Sequence, residues 1–129
     1  EDLRNPTIMA RIAKGYSEAD IEAMSKYFAD KEYVKADQPS DAAAAKRGAK
    51  LHKKYCKNCH GDTGISEDKD DDSGMLAGQW KPYMEYTITD YKSGKREYGK
   101  KMGKKFKKLQ KVEGDKGFAD LLEYYASQK

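Results

Sequence analysis

The sequence has no apolar run that approaches the length of a membrane span, so we expect no transmembrane segment. It also lacks the alternation of apolar and polar residues that is typical of strands, which predicts an all-α protein. Charged residues account for 37% of the 129 residues, as many as the hydrophobic ones. A chain this short and polar buries a thin core, and such domains commonly add a disulfide, a metal or a cofactor.

Cysteine and histidine are also scarce, with two residues of each, and three of these four lie in the stretch KKYCKNCHGD, residues 53–62. A structural zinc site needs four ligands. It would therefore require every candidate: Cys56, Cys59, His60 and His52. A thioredoxin-like cysteine pair belongs beside a βαβ pattern, which the sequence lacks. We interpret His52 as a surface residue of the helix that leads into this stretch.

Cys56, Cys59 and His60 spell C-x-x-C-H, which is the attachment signature of haem c. Two thiols three residues apart can each add to one vinyl group of the same porphyrin, and the next residue, His60, then reaches the iron. The sequence therefore predicts one covalently bound haem c. The redox-disulfide and zinc interpretations remain as alternatives.

The spacing of apolar residues and the capping signals predict four helices. Ser17 and Ser40 are the expected N-caps of the first two helices, and Pro82 and Gly94 mark the beginning and end of the third. Gly48 is costly in a helix interior, so we expect it to pack closely against another helix. The predicted helices span residues 18–33, 41–56, 79–94 and 117–128.

Residues 40–129 resemble a class I cytochrome c, because a helix, C-x-x-C-H, a methionine-bearing loop and an aromatic C-terminal helix follow in order. The segments RGAKLHKKYCKNCHGDTG, LAGQWKPYMEYTITDYKSGKR and FADLLEYYA are similar to bacterial two-haem cytochromes. The nearest resemblance is to the cytochrome subunits of flavocytochrome c sulfide dehydrogenases. The resemblance implies a class I cytochrome c fold. Haem maturation of this kind takes place outside the cytoplasm, so we expect a periplasmic protein whose signal peptide has been removed, consistent with a start at Glu1.

The second axial ligand is expected to be Met102, in the glycine-rich segment EYGKKMGKKF, which matches the ligand position of the family. We interpret this segment as a loop that crosses the haem face. Met84 falls within a predicted helix and is interpreted as a core residue, and Met75 lies too near the motif to be the first choice. The expected iron ligands are therefore His60 and Met102.

The N-terminal segment echoes the C-terminal one: residues 8–29 align with residues 101–126 after a four-residue insertion in the second copy. Met9 aligns with Met102, and Ile21 with Phe118. We therefore divide the chain into residues 1–37, a helical remnant of the back half of a cytochrome domain without haem, and residues 38–129, the cytochrome domain. Chance similarity between short amphipathic helices is the alternative.

Fixed axial ligation predicts an electron-transfer protein rather than an enzyme. The resemblance implies a flavoprotein sulfide dehydrogenase subunit as the electron donor. A freely diffusing carrier to an oxidase or reductase is one alternative. A catalytic or gas-binding haem with an open iron position is another, if Met102 is not a ligand.

Charge is unevenly distributed along the chain. Residues Lys92 to Lys111 include ten basic residues and one acid, a local charge of +9, whereas residues 62–72 carry −5. Bases around the ligand loop favour an acidic redox protein as the partner, and a solvated loop face is the alternative. Nucleic acid is not expected, because the run lacks regularly spaced stacking residues. The acidic segment 66–74 is interpreted as a solvated turn rather than a calcium site.

Overall fold

A computed structural model describes residues 8–66 and 73–129. Within these ranges the chain is helical and contains no strand, which confirms the all-α prediction. No helix in the same ranges combines the length and apolarity needed to cross a membrane. The helices are α1 (Ile8–Ala13), α2 (Glu18–Ala29), α3 (Ala42–Tyr55), α4 (Lys57–His60), α5 (Lys81–Ser93) and α6 (Lys100–Ala126).

The chain divides into two compact units, the described residues up to Val34 and Lys35–Lys129. This boundary lies three residues before the predicted one at 37/38, because the intervening residues are bonded to the larger unit. The amide of Ala36 donates to the carbonyl of Gly78 at 2.8 Å. The side chain of Gln38 donates to the carbonyl of Gln79 at 2.8 Å.

The first unit consists of α1 and α2. Ser17 is the N-cap of α2, as predicted, and forms a capping box with Asp20. Helix α2 ends at Ala29, four residues before the predicted end. Neither helix contains a buried residue, and the apolar side chains of α2, such as Ile21 and Phe28, are exposed.

The core of the larger unit is formed mainly where α3 crosses the C-terminal part of α6. A Cβ atom on Gly48 would collide with the carbonyl oxygen of Asp120 and lie 2.8 Å from the Cβ atom of Tyr124. The predicted close approach of Gly48 to another helix is therefore confirmed. The buried apolar cluster, which includes Met84 as predicted, comprises Tyr55, Met84, Leu109, Phe118, Leu121, Leu122 and Tyr125.

A buried carboxylate reinforces this crossing from the side. Arg47 donates two parallel hydrogen bonds to Asp120, at 2.9 and 2.8 Å. The guanidinium holds the pKa of the Asp120 carboxyl below its usual value, with a smaller contribution from Lys116. Bidentate pairing of this kind specifies geometry as well as attraction, so it fixes the rotation of α3 relative to α6.

The start of α6 corrects one prediction. Residues 100–106 of the segment interpreted as a ligand loop, 97–106, belong to the first turns of α6 and are helical. Phe106 packs its ring against those of Tyr98 and Phe118, with centroids 5.5 and 4.6 Å apart. These contacts outweigh the helix-breaking tendency of Gly103, whereas Gly99 lies outside the helix as its N-cap.

Helix α6 has one interruption, at Gly114, whose φ of 64° and ψ of −158° are not helical. The break leaves a regular segment over residues 115–126, of the same length as the twelve-residue α2. The proposed repeat pairs Ile21 of α2 with Phe118 of this segment. Their surroundings differ, since Phe118 is buried and its counterpart Ile21 is exposed.

We predict that Gly48→Ala lowers the free energy of unfolding by about 1–3 kcal/mol, the usual cost of overpacking. The added methyl group would meet backbone atoms of Asp120, which cannot move without separating the two helices. Chemical denaturation of the purified protein measures the change. Gly74→Ala is the matched control, because nothing lies within 4 Å of its Cβ position. Equal stability of the two variants would contradict the close crossing.

Candidate cofactor-attachment site

The three residues of the C-x-x-C-H motif lie on one helical turn. Cys56 ends α3 and is followed directly by α4, which contains Cys59 and His60. The carbonyl of Cys56 accepts hydrogen bonds from the amides of Cys59 and His60, both at 3.1 Å. Both cysteines are free thiols. Cys56 is partly buried against the core, and Cys59 is exposed.

The chain that follows the motif turns tightly back onto α6. Gly61 ends α4 with a φ of 69°, in the left-handed region that favours glycine. Gly64, with a φ of 99°, lies against the ring of Tyr125, where a Cβ atom would be 3.0 Å from Cε1. Its carbonyl accepts a hydrogen bond from the amide of Leu76 at 2.7 Å. The turn is therefore held between the C-terminal helix and residues 76–77.

His52 was predicted to be a surface residue, and this prediction is wrong. Its side chain is 1% exposed. Nδ1 lies 3.0 Å from the hydroxyl of Tyr125, and Nε2 lies 2.8 Å from the carbonyl oxygen of Gly61. Burial lowers the pKa of His52, which favours the neutral ring. The signal was present in the sequence, because His52 is four residues beyond Gly48 and therefore shares its face of α3.

The position of His52 counts against a zinc site. Both of its ring nitrogens are used by Tyr125 and Gly61, so it does not supply a fourth ligand beside the motif. Across residues 8–66 and 73–129, no three or more His, Cys, Asp or Glu side chains are grouped to hold a metal ion. Structural zinc sites need four such ligands.

The environment of Cys56 counts against a redox-active cysteine pair. Burial raises the pKa of the Cys56 thiol. Because the thiolate is the reactive form, a raised pKa makes the residue a poor nucleophile at neutral pH. The described part of the chain also contains helices only, without the βαβ unit that accompanies thioredoxin-like pairs.

The three methionine candidates occupy different environments. Met84 is buried in the core, and Met75 is 46% exposed. Met102 is half-buried in the first turn of α6. The Cα atoms of α6 all lie more than 8 Å from those of α4, so the helix that carries Met102 is separate from the one that carries His60.

The helix that carries Met102 nevertheless passes close to the motif. The charge of Lys105 lowers the pKa of Cys56, opposing the effect of burial. Phe106 and Leu76, like Cys56, pack against the core and are only partly buried. Free thiols, an adjacent histidine and partly exposed apolar side chains fit a covalently attached porphyrin.

Seven lysines of the predicted basic run lie in α6 and are exposed, and we call them the lysine face: Lys100, Lys101, Lys104, Lys105, Lys107, Lys108 and Lys111. None of its members forms an ion pair within the described residues, whereas Lys92 pairs with Asp115 at 2.6 Å. Most of the acidic stretch 62–72 lies outside the described residues, and Asp62 pairs with Lys57.

No family model matches this chain, and no curated protein matches it in sequence. The functional assignment therefore depends on the residues of the site and on their geometry.

Proposed function

We propose that this protein transfers electrons through one haem c, attached to Cys56 and Cys59, with His60 and Met102 as the axial ligands. The observation that supports this proposal best is the placement of two free thiols and His60 on one helical turn that is anchored to the C-terminal helix. When bound, the group supplies a one-electron redox couple, and a methionine–histidine ligand pair raises its potential.

In this proposal each residue of the chain has a distinct task. Cys56, partly buried, fixes the inner attachment point, and the exposed Cys59 fixes the outer one. His60 is oriented by its place in α4, where its amide donates to Cys56. Met102 is held by a regular helix rather than a loop, so its position depends on the packing of Phe106.

The lysine face is the proposed docking surface for an acidic redox protein. It shares its helix with Met102 and includes Lys105, which acts on Cys56 electrostatically, so a partner bound there would lie near the attachment site. A flavoprotein sulfide dehydrogenase subunit is the donor that the family resemblance implies. The absence of acidic partners for these lysines within the described residues favours brief, charge-steered encounters as well. A freely diffusing periplasmic carrier is therefore the second candidate function.

We predict that haem remains attached to the polypeptide after extraction with acid acetone, because thioether bonds survive this treatment. Iron analysis should give one iron per chain, since the first unit has no C-x-x-C-H. Cys56→Ser and Cys59→Ser should each retain at most one thioether, detected by mass spectrometry. Release of haem from the wild-type chain would refute covalent attachment, and two irons per chain would refute the single site.

We predict that Met102→Ala abolishes the weak absorption band at the red end of the ferric spectrum and accelerates cyanide binding. Removal of the thioether sulfur opens the sixth iron position. Met75→Ala is the matched control, because Met75 is exposed and its loss should leave both measurements unchanged. A wild-type spectrum in Met102→Ala would assign the ligand elsewhere. Rapid cyanide binding by the wild type would favour the ligand-binding or catalytic alternative.

We predict that electron transfer to an acidic redox partner slows steeply with salt. Between ionic strengths of about 0.01 and 1 M the screening length falls from about 30 to 3 Å. The double variant Lys101→Glu/Lys104→Glu should slow the second-order rate further in stopped-flow measurements at low salt. Lys46→Glu/Lys50→Glu changes the net charge equally on the exposed side of α3 and is the control. Equal rates for the two double variants would place docking elsewhere.

A further inference from the structure

We infer that His52 and Tyr125 form a buried clamp that positions the C-x-x-C-H turn, and with it His60, on the C-terminal helix. As a statement about an iron ligand this inference rests on the proposed function. As a statement about the turn it rests on the hydrogen bonds alone.

The protonation of the clamp follows from its acceptors. The carbonyl oxygen of Gly61 can only accept, so Nε2 of His52 carries the hydrogen and donates to it over 2.8 Å. The neutral ring then leaves Nδ1 as an acceptor, and the hydroxyl of Tyr125 donates to it over 3.0 Å. His52 therefore links the residue after His60 to α6 through one donor and one acceptor.

Tyr125 extends the clamp to the other end of the motif. Its hydroxyl also interacts with the Cys56 side chain, where it opposes the rise in the thiol pKa that burial causes. His52 and Cys56, four residues apart in sequence, therefore both face the Tyr125 hydroxyl.

The rest of Tyr125 is equally engaged with the turn. Its ring lies under Gly64, and its main-chain carbonyl accepts from the amide of Gly78 at 2.8 Å. The ring of His52 packs edge-on against that of Tyr125, with centroids 5.6 Å apart. The side chains of the clamp are buried, so water does not replace a lost partner and each bond is costly to remove.

His52→Phe and Tyr125→Phe test the clamp, because each preserves an aromatic ring and removes hydrogen bonds. Loss of one buried bond should make local opening about tenfold more frequent. Hydrogen exchange of the Cys59, His60 and Leu76 amides should therefore accelerate about tenfold relative to amides in α5. The paramagnetic shifts of the His60 ring in the ferric holoprotein should change as well, since its orientation is no longer held.

Two further variants separate positioning from general stability. His52→Gln keeps a donor and an acceptor, and should restore much of the wild-type exchange and spectrum. Tyr55→Phe is the matched control, because its hydroxyl donates to Glu113 on α6 at 3.2 Å rather than to a residue of the turn. In the double variant His52→Phe/Tyr125→Phe, the turn amides should exchange more slowly than the product of the two single-variant accelerations predicts. The reason is that both substitutions remove the same hydrogen bond.

The outcomes distinguish the two proposals. If the wild type carries no covalent haem, the proposed function fails, and exchange of the turn amides still decides whether the clamp exists. If haem is present but Tyr125→Phe behaves like Tyr55→Phe in both measurements, the clamp is refuted. Tyr125→Phe removes a single oxygen atom, so it decides the question even if His52→Phe does not fold.

Discussion

The crossing of α3 and α6 at Gly48 is the contact on which the rest of the larger unit depends. Because Gly48 has no side chain, α3 closely approaches the backbone of Asp120, and His52 then reaches Tyr125 near the end of α6. Cys56 follows two turns after Gly48, and Tyr125 follows just over one turn after Asp120. The crossing that forms the core therefore also places His52, in the last turn of α3, within hydrogen-bond distance of the Tyr125 hydroxyl.

The thin core explains why the attachment turn is held by hydrogen bonds and glycine contacts. The buried cluster is small, and Leu51, Leu76 and Phe106 at its margin remain partly exposed. A buried polar network is costly unless it is fully satisfied, and His52 meets that condition with both nitrogens bonded. Such a network orients a turn more narrowly than apolar packing would, which in the proposed function keeps the His60 ring in one orientation.

Capping residues, proline and glycine in the sequence predicted helix boundaries, because these boundaries depend on interactions between neighbouring residues. Ser17, Pro82 and Gly94 marked helix boundaries correctly. Ser40 did not, since the N-cap of α3 is the next residue, Asp41. The burial of His52 could be predicted from its spacing to Gly48, but its partners, Tyr125 and Gly61, could not, because the crossing and a tight turn bring them to it. The helix around Met102 was missed for a related reason, since Phe106 packs against Phe118 on the other side of the break at Gly114, a contact that the local pattern does not show.

The break at Gly114 gives α6 two separate roles. Residues 115–126 anchor the C-terminal helix to α3, whereas residues 100–113 carry Met102 and the lysine face. Because the earlier segment is a helix and not a loop, its lysines and Met102 keep a constant spatial relation, with Phe106 and Leu109 turned toward the core. In the proposed function, a partner attracted by these lysines thus meets the attachment site in one orientation. The direction of docking is then set by the same packing that places the methionine.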